Sequence, residues 1–271
     1  MSGRRPVVWI LWTVVAAAVA FFVGQALAPE AALYTRILSA RAIGLIGALP
    51  KDAFLLAGAL AARGVASRFE ASNPARSAWR IFSLAMSGLF LGQAVLTYYR
   101  ATGQGVPFPT VGDLFFVLGT MALVVALVAF VRAYAASGFP IGPPAQLWTV
   151  GIVGALLGAA LVVPLLRPIV AAPAPPIEKA LNIAYPMLDF LTLVPALVLL
   201  WISLRLRGGR VGLVWGALVA GILFTTIADV LFGFFSNLGR TDLIAVIDAL
   251  YLLAYGCLAA SALYQRELVA G

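Results

Sequence analysis

Five aspartates interrupt apolar runs of the chain: Asp52, Asp113, Asp189, Asp229 and Asp248. A carboxylate at the centre of a membrane-crossing helix costs about 2.5–3.5 kcal/mol on insertion scales, so lipid-facing positions are unfavourable for all five. Brought together, such groups bind a polar ligand, carry H⁺ or Na⁺, or serve as an acid/base pair. Their neighbours suit the first of these uses. Asp248, Tyr251 and Tyr255 follow i, i+3, i+7 spacing and share one helix face. Asn182 and Tyr185 precede Asp189, Thr225 and Thr226 precede Asp229, and Gln93 leads to Tyr98, Tyr99 and Arg100. The candidate ligand-binding residues are therefore Asp229, Asp189, Asp248, Asp113, Asp52, Tyr251, Tyr255, Tyr185 and Gln93. No residue is assigned a catalytic or metal-binding role, and no cofactor is expected.

Plainer roles compete for most of these positions. Asp113 and Asp248 fall in the first turns of their expected helices, where a carboxylate complements free N–H groups and the helix dipole. Asp52 and Asp189 follow Pro50 and Pro186, and can satisfy backbone groups freed by a proline kink. Asp229 has no such alternative, which makes it the strongest candidate. Trp9, Trp79, Trp148 and Trp215 lie near span ends and are expected to be interfacial anchors.

Several chemistries are excluded by what is missing. The chain has no His, which removes His-ligated haem or zinc, Ser-His-Asp triads and imidazole relays. The single cysteine, Cys257, can form no internal disulfide. Val111-Gly112-Asp113 lacks the first glycine of the Gly-x-Gly-Asp motif of intramembrane aspartyl proteases. Nucleic acid is not an expected partner: the net charge of +8 is spread between apolar runs, with no basic patch interleaved with aromatics.

The elements that must place these residues follow from composition. Of 271 residues, 63% are hydrophobic and 10% charged, where a soluble domain carries about 25% charged residues. The mean hydropathy is +1.05. Such a chain meets lipid, and a span needs about 20 apolar residues. On that scale the sequence predicts eight transmembrane helices near 7–28, 37–63, 78–99, 111–134, 146–166, 178–205, 211–236 and 242–266. Ala26-Leu27-Ala28 imitates a signal-peptidase site, but Pro29 follows it and the run is long enough to span, so the first helix is expected to remain.

Charge orients the bundle. With the N-terminus inside, eleven of the 18 basic residues fall on the cytoplasmic side: Arg4, Arg5, Arg63, Arg68, Arg76, Arg80, Arg132, Arg205, Arg207, Arg210 and Arg266. Both termini are therefore expected in the cytoplasm, with the protein in a bacterial inner membrane. All five aspartates then lie in the outer half of the bilayer. The two halves also match. Trp12-Thr13-Val14 recurs as Trp148-Thr149-Val150, and Pro50, Asp52, Trp79, Gln93 and Asp113 correspond to Pro186, Asp189, Trp215, Asp229 and Asp248, at offsets of 135 to 137. The expected fold is an all-α integral membrane protein of two parallel four-helix repeats, 1–136 and 137–271.

Three segments, PFPTVGDLFFVLGT, NIAYPMLDFLTL and IADVLFGFF…IDALYLLAYGCLAASAL, resemble a polytopic membrane region of bacterial signalling proteins. There it precedes a diguanylate cyclase (GGDEF) or phosphodiesterase (EAL) domain. The resemblance spans residues 80–266 and implies a membrane-embedded sensing module that shares Asp113, Asp189, Asp229 and Asp248. Gly112-Asp113 stands where the family motif reads Ala-Asp, and the sequence stops at Gly271 with no output domain. Cyclic-di-GMP chemistry is therefore not carried over. The expected function is a stand-alone sensory or accessory module that binds a small molecule, lipid or partner in an outer-half polar cavity. It would signal through a separate partner protein that meets the Arg-rich loops at 63–80 and 205–210. A small-solute or H⁺/Na⁺-coupled transporter, an intramembrane enzyme and a structural subunit of a membrane complex are the competing readings.

Overall fold

Each apolar run forms a helix whose ends are written in short polar signals. The computed structural model describes residues 6–138, 143–171, 173, 175–205, 209–237 and 243–270. Arg4, Arg5, Arg207, Gly208 and Arg240 lie outside the described residues. The helices are α1 (Pro6–Leu27), α2 (Ala40–Arg68), α3 (Pro74–Thr102), α4 (Val111–Ala136), α5 (Pro144–Ala171), α6 (Pro176–Arg205), α7 (Arg210–Asn237) and α8 (Ile244–Ala270). All eight contain a stretch long and apolar enough to cross a bilayer, and no strand occurs among the described residues. The chain is an all-α, multi-span membrane protein.

Caps set the boundaries. Ser39 accepts from the Ala42 N–H and starts α2. Asn73 accepts from the Ala75 N–H and, with Pro74 in the first turn, starts α3 four residues before the expected 78. Gly103, at φ 72°, takes the left-handed conformation that ends α3. The expected start of the second helix at 37 is corrected to Ala40. Residues Leu33–Ile37 instead form one π-helical turn, pinned by the Tyr34 hydroxyl donating to the Phe21 carbonyl at 3.0 Å.

Six helices close a ring in the order α2, α3, α4, α6, α7, α8 and back to α2. α1 lies outside the ring against α8, with Trp12 Nε1 donating to the Tyr264 hydroxyl at 3.0 Å. α5 lies outside it against α6. Covered by α1, α2 and α7, α8 is the most buried span. The Trp12–Tyr264 bond joins the start of α1 to the end of α8, so these two ends lie at the same end of the bundle.

Small residues bring the α3–α4 hairpin close. A Cβ on Gly88 would stand 2.7 Å from the Gly119 Cα, and one on Gly119 would stand 2.7 Å from the Leu89 backbone nitrogen. The two backbones are in contact there, the approach that small residues permit in lipid.

The ring interior differs at its two ends. Near the end that holds the Trp12–Tyr264 bond, Trp79, Phe82, Phe130, Tyr134 and Trp215 interlock. The Trp79–Phe130 and Phe130–Trp215 centroids are 4.9 and 5.0 Å apart, and Trp79 and Trp215 meet at 6.3 Å. Trp79 and Trp215 are only 2% and 5% exposed, which corrects their reading as interfacial anchors. They face inward, and aromatic contact fills the interior. Trp9 and Trp148, near the starts of α1 and α5, are each 72% exposed. The opposite end of the ring is polar.

Candidate functional site

The polar end is assembled from six helices, and its centre is an ion pair. Lys51 of α2 is 3% exposed and forms a salt bridge with Asp248 of α8. The Arg100 Nη2 of α3 stands 3.7 Å from the same Asp248 oxygen. Lys51 Nζ also lies 5.4 Å from the centroid of the Tyr251 ring, a cation–π contact with the next turn of α8. Two bases thus converge on one carboxylate. Such a buried pair holds only while each charge keeps its partner.

The position of Arg100 follows from two glycines. A Cβ on Gly44 would meet its Cβ, Cγ and Cδ at 3.7–3.9 Å, and one on Gly47 would lie 3.8 Å from its Nη1. The arginine therefore lies along a groove of α2, with its side chain 27% exposed at the polar end.

Asp52, the next residue of α2, accepts from the Thr97 hydroxyl at 2.6 Å, and that hydroxyl also reaches the Gln93 carbonyl at 3.0 Å. Ser83, Met86, Gln93, Thr97 and Arg100 form one stripe of α3 at three-, four- and seven-residue spacings. Ser83 donates to the Ala59 carbonyl, and the Met86 methyl meets the Gly58 position of α2. Gln93, 4% exposed, sits between Met86 and Thr97 on this stripe, whose members Met86 and Thr97 meet α2. Three buried atoms here have no hydrogen-bond partner among the described residues: Asp52 Oδ1, Gln93 Nε2 and Arg100 Nη1. Buried polar groups are ordinarily satisfied, so three together call for an explanation.

On the other side, Tyr251 donates its hydroxyl to Asp229 of α7. Asp229 is in turn within hydrogen-bonding reach of Asp189 on α6. Two carboxyl groups in contact require a proton or a cation between their oxygens. Asp113 of α4 closes the far side. It completes a capping box by accepting from the Thr110 N–H at 2.6 Å, and it receives the Tyr185 hydroxyl of α6 at 2.5 Å. The Tyr255 hydroxyl lies within electrostatic range of Asp229, Asp52 and Asp248, between the two sides.

All nine candidate residues thus fall at one end of the ring, and the five aspartates belong to one polar cluster. The competing roles separate. Asp113 is a helix cap that also bonds across to α6. Asp248 lies beyond the first turn of α8 and forms ion pairs, so its capping role is corrected. Asp52 bonds Thr97 of a neighbouring helix. Thr225 donates to the Gly221 carbonyl of its own helix, outside the cluster. Lys51 and Thr97 were not among the candidates, although a lysine inside an apolar run carries the same signal as an aspartate. Among the described residues, no group of three His, Cys, Asp or Glu is placed to hold a metal ion. Compared with known proteins, the chain matches no family model, no curated protein and no solved structure.

Proposed function

We propose that this chain is a sensory or accessory module of the bacterial inner membrane, binding a small polar ligand in the cluster at the polar end of its helix ring. The observation that carries this reading is the convergence of five intramembrane aspartates, two bases and three tyrosines from α2, α3, α4, α6, α7 and α8. Each of these groups is costly in a bilayer, and a ring of plain apolar helices would fold without them. The polar end faces outward and the termini lie in the cytoplasm, a reading supported by the bias of basic residues towards the aromatic end. A signal passes to a separate partner at the Arg-rich loops of that end. The pattern of ring neighbours supports a duplication of the last three helices of each half: α2·α3, α3·α4 and α4·α6 correspond to α6·α7, α7·α8 and α8·α2, whereas α1 packs on α8 and α5 on α6.

Native mass spectrometry of the chain in mild detergent tests the reading. A defined small molecule should accompany the wild type and be missing from Asp229→Asn. A wild type with no excess mass, or a ligand that Asp229→Asn retains, counts against the cluster as a binding site.

One observation favours a second reading, a carrier coupled to H⁺ or Na⁺. Asp189 and Asp229 face each other, and five carboxyls share two basic side chains. Ion-dependent solute uptake into proteoliposomes, lost in Asp229→Asn, is the outcome that would establish it.

A further inference from the structure

The three unpartnered atoms have a definite order along α3, and that order describes a ligand. Arg100, the residue nearest the ring's polar mouth, presents a free donor, Nη1. Thr97, one turn deeper, holds Asp52 by one oxygen and leaves Oδ1 as a free acceptor. Gln93, the next turn down, presents another free donor, Nε2. The Arg100 guanidinium and the Asp52 carboxylate lie within electrostatic range of each other, and each can take one hydrogen-bonded group of a compound whose carboxylate and ammonium are neighbours. Charge agrees with a ligand of no net charge. In the seam Lys51 and Arg100 stand against Asp248 and Asp52, whereas Asp229 and Asp189 lie on the deeper side without a base.

We propose that the seam between α2, α3 and α8 binds a small zwitterion of the α-amino-acid type, its carboxylate on Arg100 and its ammonium on Asp52. Gln93 Nε2 meets an acceptor on the ligand's side chain and selects among amino acids. Arg100 also covers the seam. Its methylenes lie over Gly44 and its guanidinium beside Gly47, so the ligand enters when this one side chain swings outward. The assignment rests on the polar cluster being a ligand site, and adds the chemistry of the ligand.

The test is thermal unfolding of the purified full chain, followed by tryptophan fluorescence, with each of the twenty proteinogenic amino acids at millimolar concentration. At least one should raise the unfolding midpoint. The same compound without its amine, or with its carboxylate as an amide, should not. Gln93→Leu removes a buried unpartnered donor and preserves the side-chain volume, so the variant should fold, while binding the active compound roughly tenfold or more weakly. Asp52→Asn should weaken it likewise. The assignment is overturned if none of the twenty has an effect, if an analogue lacking either charge acts equally, or if both variants respond like wild type. A co-purifying molecule that is not a zwitterion and is lost in Asp229→Asn overturns this assignment while leaving the cluster a ligand site. No bound molecule of any kind overturns both.

Discussion

Lys51 and Asp248 stand 197 positions apart in sequence and form a salt bridge across the α2–α8 contact. Because Lys51 is almost fully covered, water cannot replace Asp248 as its partner. The bridge therefore links the first half of the ring to the second through charge as well as packing.

Replacing Lys51 with Met should be one of the most damaging changes available in the ring. Asp248 would keep only the distant Arg100, and breaking a buried pair by removing one partner costs about 3–5 kcal/mol. The double variant Lys51→Met/Asp248→Leu should recover much of that loss, because no uncompensated charge remains. Unfolding midpoints of both proteins in the same detergent decide the matter. A double variant no more stable than the single one would show that the bridge is not the origin of the effect.

The two tyrosine-to-aspartate bonds should differ in weight. Tyr251→Phe takes from Asp229 its hydroxyl donor, at a cost of about 1–3 kcal/mol. Tyr185→Phe should cost less, since Asp113 still accepts from the Thr110 N–H and hydroxyl. The order of the two unfolding midpoints is the measurement, and a reversed order would contradict the described network.

Gly88→Leu or Gly119→Leu should disrupt the α3–α4 hairpin. A side chain there meets backbone, which cannot yield as a flexible side chain can, and overpacking typically costs about 1–3 kcal/mol or more. Gly44→Ala should be tolerated, because its new methyl would make ordinary contact with Arg100 alone. Yield of monodisperse protein, read by size-exclusion chromatography, distinguishes these cases.

Among the tryptophans, Trp79→Ala and Trp215→Ala should each lose about 3–5 kcal/mol, as expected of large buried aromatics. Their effects should not add, since the two rings touch. Trp9→Ala and Trp148→Ala, on exposed faces, should leave the unfolding midpoint within about 0.5 kcal/mol of wild type. Equal losses at all four positions would refute the inward-facing aromatic cluster.

Orientation is accessible to chemical labelling. In a Cys257→Ser background, Gly105→Cys lies in the exposed loop at the polar end, and Ala71→Cys lies in the exposed loop at the opposite end. In intact cells a membrane-impermeant maleimide should label Gly105→Cys and spare Ala71→Cys. The reverse pattern would place the termini outside.

Helix existence was readable from the length of the apolar runs alone, and the residues at the helix boundaries show where that reading fails. A hydropathy window sees Ile37 and Leu38 as part of a span, but Ser39 in extended conformation starts the helix, and only cap geometry reveals it. The aspartates were readable because each is expensive in lipid. Lys51 was equally anomalous, yet its side chain is long enough to snorkel from many positions, so its sequence context alone did not place it inside. Trp79 and Trp215 mark the opposite limit. Tryptophan near a span end suits an interface or a core equally well, and the choice depends on helix rotation, which is set by neighbours on other helices, up to 136 positions away for Trp79 and Trp215. The identity of those neighbours, above all the approach of α8 to α2, is a property of ring closure that no local pattern encodes.

The parallel contact between α2 and α8 has a consequence for how the protein is made. Helices are delivered to the bilayer in the order of synthesis, so Lys51 enters five helices before Asp248 exists. Its chain neighbour Asp52 points away by a full step of the helix and cannot serve as a substitute. Throughout that interval the nascent bundle is an open crescent, with a lysine and an arginine on its unfinished edge. Assembly is therefore governed by a late event, and an intermediate stalled before α8 presents bare charges within the lipid.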